Sequence, residues 1–407
     1  MFRCITKLKG LIIDVDSFKE DEINAFNEIN EKYQCLFMTT NHETSIGLHG
    51  MYMGCEIFEI KKFIKMFSPS QYTHKECLDK LKLKSTEVAY VSRDIGFIEN
   101  AMGFMSGTIW LTDFVNYLDA SKSPDLVCRS IPSLMHCLDV NVQGFLGEVA
   151  LFPNLKAKGM IVPVKFEINK ETVPLFMLGR YFGYSHYMNQ LHPYSSAIYL
   201  NKKEGKAYGK FNPIFERLIS KVVKNIIDAN RVDGICSVPS RPGKENRFKD
   251  ILKCISEEHG IIDLSDEMTC VKAYQTQKGL SQTEREENVS DVFSYNGSLV
   301  GKNIILIDDI VSTGATIREC AKELKRKGVN EIYIIVLAVN QIQGNYWSSE
   351  QPQITCPACD DKMHLLVNSH NRNFFYSCYN CRNKTFSFEE GWKALCDYID
   401  NEFNDQN

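Results

Sequence analysis

Apolar residues along the chain follow two alternating patterns. Short, mostly apolar runs predict strands at Leu11–Asp14, Cys35–Met38, Val88–Val91, Gly234–Val238, Ile304–Ile307 and Ile332–Val339. Apolar residues at helical spacing predict helices over Asp21–Lys32, after Pro213, over 246–259 and over Ile317–Lys327. Strands that alternate with helices are typical of an α/β fold with a mainly parallel sheet, in which ligands bind at the carboxyl ends of the strands.

The length of 407 residues is too great for a single compact core. Turn-forming and charged residues at 121–125, Ser-Lys-Ser-Pro-Asp, predict a domain boundary there. Because the sequence around 126–168 has no clear period, we interpret it as a connecting region. We therefore expect an α/β domain over 1–125, a parallel-sheet domain over 169–345 and a small cysteine-rich domain with a terminal helix over 346–407.

Composition and charge indicate which partners and which cellular compartment to expect for the protein. A net charge of −4 and a pI of about 6.2 do not mark the whole chain as a nucleic-acid binder. The longest apolar run, Ile332–Val339, is far too short to span a bilayer. Asp14 and Asp16 interrupt the first apolar segment, so it does not resemble a signal peptide. Fifteen cysteines, mostly scattered singly, fit a reducing compartment. We expect a cytoplasmic protein without a membrane partner, as an oligomer or part of a complex.

The stretch 304–316 combines features of an anion site. An apolar strand leads to the adjacent carboxylates Asp308 and Asp309, and a small, hydroxyl-rich turn then runs into a helix. Backbone N–H groups at such a turn and the helix dipole bind anions, and Gly314 lets the main chain come close to one. The carboxylates suit the neutral hydroxyls of a ribose better than a phosphate. The alternative is an ordinary strand–turn–helix with capping residues.

This stretch resembles the signature of type I phosphoribosyltransferases, which use phosphoribosyl pyrophosphate (PRPP). The resemblance implies that Asp308 and Asp309 hold the ribose hydroxyls and that Mg²⁺ accompanies the pyrophosphate. It also implies a loop around the 5′-phosphate made of Ser312, Thr313, Gly314, Ala315 and Thr316.

The block from Gln277 to Phe293 resembles the ComF-like phosphoribosyltransferases in the spacing of its Gln, Leu, Arg, Asn and Phe residues. Without the family, Ser281 and Glu284 form a capping box, which leaves Gln277 and Arg285 unexplained. The resemblance implies that this block closes over bound PRPP, with Gln277 and Arg285 in the closing loop. Such a closure excludes water from the reaction.

The loop after the strand at 234–238 carries three cations, Arg241, Lys244 and Arg247. We expect Ser240, Arg241 and Lys244 to bind the leaving pyrophosphate, whose charge must be neutralised. The alternative for Lys244 and Arg247 is a solvated basic loop. We expect the acceptor base to rest on a hood formed by the segment before the core, in which the candidates are Arg180, Tyr181, His186, Tyr187 and His192.

Two C-x-x-C pairs near the C-terminus predict a zinc site. Cys356, Cys359, Cys378 and Cys381 have the spacing that places four thiolates around one Zn²⁺. The segment resembles the zinc ribbons at topoisomerase C-termini. Phe374, Phe375 and Tyr376, with nearby Arg and Lys residues, would then contact single-stranded nucleic acid. A structural role for the zinc is the alternative that we favour.

The N-terminal strands end in polar residues in an order that resembles the haloacid-dehalogenase (HAD) fold. The resemblance implies Asp14 as nucleophile, Asp16 as acid/base, Thr39 and Lys75 as phosphate contacts, and Asp94 as a Mg²⁺ ligand. The alternative is a degenerate domain that keeps the shape for regulation or assembly.

The expected architecture is therefore α/β: a HAD-like Rossmannoid domain, a parallel-sheet type I phosphoribosyltransferase domain and a zinc ribbon. We expect an enzyme that transfers ribose 5-phosphate from PRPP to a nucleobase-like or other nitrogen acceptor. One rival is a PRPP-sensing regulator without turnover. Another is an effector of a bacterial stress or phage-defence system.

Overall fold

The first sheet of the computed structural model is wholly parallel. Its strands are β1 (Gly10–Asp14), β2 (Gln34–Thr39), β3 (Glu56–Glu59), β4 (Val88–Ser92), β5 (Gly107–Leu111) and β7 (Leu126–Cys128), and β6 (Val115–Asn116) lies outside it. Their order is β3-β2-β1-β4-β5-β7, and neighbouring strands pair in parallel. Strands β2 and β3 therefore lie on one side of β1, and β4, β5 and β7 lie on the other. The structure describes residues 5–51, 55–61, 68–152, 155–202, 208–273, 284, 287–342, 352–368, 370–382 and 384–404.

The second sheet has eight strands and contains the predicted parallel core. The remaining strands of the first two thirds of the chain are β8 (Val142–Phe145), β9 (Lys158–Met160), β10 (Val162–Ile168), β11 (Glu171–Met177), β12 (Arg180–Phe182), β13 (Gly234–Ser237), β14 (Ile262–Asp263) and β15 (Met268–Cys270). They are followed by β16 (Phe293–Tyr295), β17 (Asn303–Val311) and β18 (Glu331–Gln341). The sheet order is β14-β13-β17-β18-β11-β10-β6, with β12 also on β18. Only β10 and β11 pair antiparallel within it.

Helices cover both sheets. In chain order they are α1 (Glu20–Ile23), α2 (Phe26–Asn30), α3 (His42–Met51), α4 (Gln71–Leu81), α5 (Ile95–Met102), α6 (Tyr117–Ala120), α7 (Ile131–Asp139), α8 (Leu146–Leu151), α9 (Pro193–Lys202), α10 (Asn212–Ala229), α11 (Lys249–His259), α12 (Ala315–Arg326) and α13 (Phe388–Asn404). The helix predicted over Asp21–Lys32 is two short helices, α1 and α2. Helix α10 begins beside Pro213 and buries one apolar stripe, as its spacing predicts.

The boundary between the first two parts differs from the prediction. Strand β7 extends the first sheet beyond residue 125, whereas β6 leaves that sheet and pairs with β10 of the second. β10 itself lies before residue 169, where the second domain was expected to begin. The sequence hid this arrangement because strands of two or three residues have no measurable period.

A buried cation joins the parts of the chain. The guanidinium of Arg180 lies 2.8 Å from Asp125 Oδ1 and 2.8 Å from Glu148 Oε2, and all three side chains are almost fully buried. His192 lies beside the same Glu148, and His186 and Tyr187 are also buried. The hood interpretation is therefore wrong for Arg180, His186, Tyr187 and His192, because their side chains belong to the core.

The C-terminal segment has its own small sheet and returns to the first domain. Strands β19 (Met363–Val367), β20 (Phe374–Cys378) and β21 (Thr385–Ser387) pair antiparallel. The following helix, α13, reaches the first sheet. Its Asp400 accepts hydrogen bonds from the amide (3.1 Å) and hydroxyl (2.8 Å) of Thr86. Near the end of the same helix, Phe403 packs edge-on against the ring of His74, which is itself stacked on Phe104.

Across the described part of the chain, no helix is both long enough and apolar enough to cross a membrane.

Replacing Arg180 by Met should lower the free energy of unfolding by about 3–5 kcal/mol, because two buried carboxylates lose their counter-charge. Urea unfolding followed by circular dichroism measures this difference. Lys224→Met is the matched control, since Lys224 and Asp228 form an exposed ion pair, and it should cost less than about 1 kcal/mol. Equal stabilities of the two variants would contradict the structural role of Arg180.

Candidate functional site

Strand β17 carries the two adjacent carboxylates to the carboxyl edge of the second sheet. The strand continues through both residues to Val311, four residues further than the apolar run predicts. The amide of Asp309 donates to Asp308 Oδ1 at 2.8 Å, and the amide of Ile310 donates to Asp309 Oδ1 at 2.6 Å. These bonds fix one oxygen of each carboxylate, so both side chains are held at the end of the strand.

The carboxylates line an open cleft of about 830 Å³. The cleft brings together Asp308, Asp309 and Thr316 with the predicted pyrophosphate-loop residues Ser240, Arg241 and Lys244. Its other lining residues include Lys202, Tyr208, Glu245 and Arg247. Residues from three separated parts of the sequence therefore share one cavity, although Ser312, Thr313, Gly314 and Ala315 do not line it.

The electrostatics of the two carboxylates differ. Asp309 contacts the guanidinium of Arg247, and Lys202 Nζ lies 3.4 Å from its Oδ2. Burial alone would raise the pKa of Asp309, but the charges of Lys202 and Arg247 outweigh the burial and hold it below its usual value. Burial and the adjacent charge of Asp309 raise the pKa of Asp308 to about 7. One carboxylate is thus firmly ionised while the other titrates near neutrality.

The loop after β13 has a compact, partly self-bonded shape. The hydroxyl of Ser240 donates to the carbonyl of Glu245 at 2.8 Å, and the amide of Lys244 donates to the carbonyl of Arg241 at 3.0 Å. Gly243 has a φ of +79°, a conformation that side chains rarely adopt. This turn keeps the loop's cations on the side of the cleft that faces β17.

The turn 312–316 is braced from behind by aromatic residues. Gly314 has a φ of +78°, and a side chain there would come within 2.7 Å of Phe166. The hydroxyl of Tyr117 donates to the carbonyl of Ser312, and Arg318 Nη2 donates to the carbonyl of Thr313 at 2.9 Å. The need for glycine therefore includes contact with Phe166, a cause that the sequence pattern does not reveal.

Functional residues that sequence reasoning missed are Lys202, Tyr208 and Tyr117. Lys202 ends helix α9 and Tyr208 follows it, but neither belongs to a motif, and only the fold brings them to the cleft. Of the hood candidates, Tyr181 alone remains near the site, since Lys202 Nζ lies 5.9 Å from its ring.

The predicted closing loop falls between β15 and β16 in the sequence. Gln277 and Arg285 lie outside the described residues. The segments that flank them form a two-stranded antiparallel ribbon, in which Cys270 of β15 pairs with Phe293 of β16.

Four thiols converge in the C-terminal segment. The sulfur atoms of Cys356, Cys359, Cys378 and Cys381 all lie within 4.8 Å of one another. The separations Cys356–Cys381 (3.6 Å) and Cys359–Cys378 (3.5 Å) are close to the ~3.8 Å edge of a tetrahedron with metal–sulfur bonds of about 2.3 Å. Asp360 and Arg382, which directly follow the second cysteine of each pair, both have positive φ, so the two turns are alike. These cysteines can hold a metal such as zinc.

The aromatic residues of this segment do not form the predicted stacking surface. The alternation along β20 buries Phe374 and Tyr376, and Tyr376 has no exposed area. Phe374 packs against Phe211 of the second domain. Only Phe375 stays partly exposed, so nucleic-acid contact through all three aromatic side chains is wrong.

The N-terminal residues proposed as a HAD-like site are partly gathered. Asp14, at the end of β1, accepts a hydrogen bond from Ser92 Oγ at 2.8 Å. Asp16 accepts from Thr39 Oγ1 (2.6 Å), from the Thr40 amide (2.9 Å) and from Thr40 Oγ1 (2.6 Å). Lys75 lies inside α4 rather than at its start.

Asp94 has a local role, because it caps helix α5 by accepting from the Gly96 amide at 2.8 Å. Within the described segments, the four cysteines are the only metal-ligating group of three or more residues that converges. Arg93 contacts Glu22, so its charge is paired.

Comparison with known proteins agrees with the geometry of the cleft. Residues 263–355 match the family model of the phosphoribosyl transferase domain. Competence protein F of Haemophilus influenzae is 37% identical over 84 residues, which cover 19% of this chain and 35% of that protein. DNA utilization protein YhgH of Escherichia coli is 31% identical over 70 residues, or 17% of this chain and 31% of that protein. These matches support the ComF-like resemblance.

Ribose-phosphate pyrophosphokinase of Pasteurella multocida is 26% identical over 125 residues, covering 28% of this chain and 40% of that protein. The chain thus spans between about a third and two fifths of these curated relatives. Among solved structures, an adenine phosphoribosyltransferase aligns with 32% of this chain and 79% of that chain at 15% identity, with a TM-score of 0.22. The sequence matches thus show that residues 263–355 are similar to the phosphoribosyl transferase domain.

The raised pKa of Asp308 predicts a pH-dependent stability. A carboxyl whose pKa rises from about 3.9 in the unfolded chain stabilises the fold most below that value, and this contribution is lost as the pH rises through about 7. Asp308→Asn should therefore raise the free energy of unfolding at pH 8 by roughly 1–3 kcal/mol and have little effect near pH 4. Urea unfolding at both pH values measures it.

The neighbouring Asp309→Asn serves as the matched control with the opposite sign. Its lowered pKa means that its contribution is present at pH 8 and is lost on acidification, so this variant should be destabilised at pH 8. The same sign for both variants at pH 8 would contradict the assignment of the two carboxylates.

The four-cysteine cluster predicts one zinc ion per chain. Metal analysis of the purified protein should find about one equivalent, and Cys356→Ser should lose it, because a tetrahedral site needs all four thiolates. Cys254 is exposed and far from the cluster in sequence, so Cys254→Ser should keep the metal. Undiminished zinc in the Cys356 variant would rule out the site.

Proposed function

We propose that the protein is a PRPP-dependent phosphoribosyltransferase that transfers ribose 5-phosphate to a nitrogen acceptor and releases pyrophosphate. The observation that carries the proposal is the cleft in which Asp308 and Asp309 face the cations of the 238–247 loop. A ligand with vicinal hydroxyls at one end and a polyphosphate at the other matches this distribution of acceptors and donors. The family match over 263–355 supports the same chemistry.

The proposed roles follow from charge. Asp308 and Asp309 would accept hydrogen bonds from the ribose hydroxyls, and the amides and hydroxyls of residues 312–316 would bind the 5′-phosphate. Arg241, Lys244 and Arg247 would stabilise the negative charge that develops on the departing pyrophosphate. Mg²⁺ carried by PRPP would supply further neutralisation of that charge. Because the nucleophile attacks as the C1–O bond breaks, the protein's main contribution would be positioning and electrostatic stabilisation.

A specific contact gives this site an order of events. Arg247 contacts Asp309 in the structure, with Lys202 close by. Pyrophosphate and Asp309 would compete for this guanidinium, because both are anions. Binding of the polyphosphate would therefore release Asp309 to accept the ribose hydroxyls. Ligand binding would couple the two halves of the cleft through one shared cation.

A binding protein without turnover is the second candidate. It is favoured by the relatives named for competence and for DNA utilization, whose names describe no transfer reaction. Such a protein would report the level of PRPP to a partner, or act in a bacterial stress or phage-defence system. The acceptor distinguishes the candidates, since only the transferase needs one.

The flanking parts are proposed to have structural roles. We propose that the C-terminal segment is a zinc ribbon that staples the chain, because its aromatic side chains are buried against neighbouring elements. We propose that the N-terminal domain is HAD-like in shape and serves assembly. Its Asp16 accepts hydrogen bonds from Thr39 and Thr40, and Asp94 caps a helix.

Incubation with PRPP, Mg²⁺ and a small-molecule extract should release pyrophosphate and produce new ribosylated masses, detected by mass spectrometry. Asp308→Asn and Asp309→Asn should each weaken PRPP binding by more than about tenfold, since each removes a charged acceptor. Asp228→Asn, on the exposed surface of α10, is the control. Saturable binding without turnover across many acceptors would favour the regulator.

The wild-type protein should not hydrolyse p-nitrophenyl phosphate, because its N-terminal domain is proposed to have a structural role. Hydrolysis that Asp14→Asn abolishes would make the N-terminal domain a phosphatase.

A further inference from the structure

The chain makes an excursion between two strands of the first sheet. After β5 and before β7, residues 115–125 leave that sheet and run along the second one. Val115 and Asn116 form β6, which pairs with Val164 and Lys165 of β10. Helix α6 follows β6 directly and packs on β10. The excursion is therefore part of the first domain in sequence and part of the second in structure.

The excursion is fastened at its far end. Gln341, at the end of β18, donates to the carbonyl of Ala120 at 3.0 Å and accepts from the amide of Ser123 at 2.9 Å. The amide of Ile342 donates to the carbonyl of Ser121 at 2.9 Å. The Arg180 ion pair with Asp125 then holds the point where the chain returns to the first sheet. Little freedom remains for residues 115–125 relative to β18.

One side chain of the excursion contacts the turn proposed to bind phosphate. Tyr117 donates its hydroxyl to the carbonyl of Ser312, and its ring lies edge-on to Phe166 at 4.8 Å between centroids. A Cβ atom on Gly314 would lie 3.3 Å from the Tyr117 oxygen and 2.7 Å from Phe166. The guanidinium of Arg318 lies over both rings, 6.0 and 5.3 Å away, and donates to Thr313.

These contacts direct carbonyl groups of the turn toward the protein. A carbonyl oxygen that points at a phosphate would repel it, so the turn can bind an anion only when its amides face outward. Tyr117 and Arg318 together hold the carbonyls of Ser312 and Thr313. Arg318 belongs to the second domain, whereas Tyr117 is supplied by the first.

We propose that Tyr117 is a positioning residue, by which the excursion of the first domain holds the 312–316 turn in its phosphate-binding conformation. The inference rests on the proposed function of that turn. Its consequence is selective: the 5′-phosphate end of the ligand depends on Tyr117, which contacts Ser312, Phe166 and Arg318, whereas the pyrophosphate end depends on the 238–247 loop. The N-terminal domain thereby influences the affinity for ribose phosphates from outside the cleft.

Isothermal titration calorimetry with ribose 5-phosphate, with PRPP and with pyrophosphate, each with Mg²⁺, tests the proposal on the full chain. Tyr117→Phe keeps the ring contacts and removes the hydroxyl. It should weaken the binding of ribose 5-phosphate and PRPP by about three- to tenfold, as expected for one hydrogen bond, and leave pyrophosphate binding unchanged. Tyr184→Phe makes the same chemical change at a tyrosine that is 91% exposed and should alter none of the three affinities.

Two results would overturn the role of Tyr117. One is unchanged binding of ribose 5-phosphate in the Tyr117 variant. The other is an equal loss for ribose 5-phosphate and pyrophosphate, which a general loosening of the fold would cause. Faster hydrogen exchange of the amides at 312–316 in the variant, with the rest of the second domain unchanged, would support the proposal. A wild-type protein that binds neither PRPP nor ribose 5-phosphate would instead overturn the proposed function itself.

Discussion

The buried guanidinium of Arg180 is the interaction on which the arrangement of the parts depends. Asp125 lies where the excursion rejoins the first sheet, Glu148 belongs to α8, and Arg180 begins β12 of the second sheet. One planar cation thus joins three segments that the sequence separates. A hydrophobic contact would tolerate sliding, but a fork of directed hydrogen bonds to two carboxylates permits a single arrangement. Arg180 lies in β12, which pairs with β18, and β18 pairs in turn with β17, the strand that carries Asp308 and Asp309.

Strand β17 contributes both to the core of the second sheet and to the cleft at its carboxyl edge. Its apolar residues pair with β13 and β18 in the core, and its last residues carry charge into the cleft. Placing two acids side by side is costly, because each disfavours ionisation of the other. The cations at Lys202 and Arg247 offset this repulsion for Asp309, whereas the pKa of Asp308 stays raised at about 7. The cleft therefore holds a carboxyl pair in unequal protonation states, which suits hydroxyl groups that both donate and accept.

The elements with long periodic patterns were predictable from the sequence, and those that depend on distant partners were not. Strands β1, β2, β13 and β18 and helices α10 to α12 agree with their predicted positions within a few residues. Asp308, Asp309 and Thr316 of the 304–316 stretch line the cleft, and this stretch could be recognised in the sequence because its residues are close together there. Lys202 and Tyr117 could not be predicted from the sequence, because their roles arise from tertiary contacts. Arg180 was misread for the same reason, since a lone arginine in a sequence does not reveal its burial.

The return of helix α13 to the first sheet has a consequence for the synthesis of the chain. Asp400 and Phe403 complete the surroundings of Thr86 and His74, more than three hundred residues earlier. On the ribosome, the N-terminal half emerges long before these side chains exist, so its last contacts wait until α13 has been made. The first domain must persist in an unfinished state while the rest of the chain is made. Loss of the last turns of α13 would leave that state permanent, even though every residue of the first sheet is present.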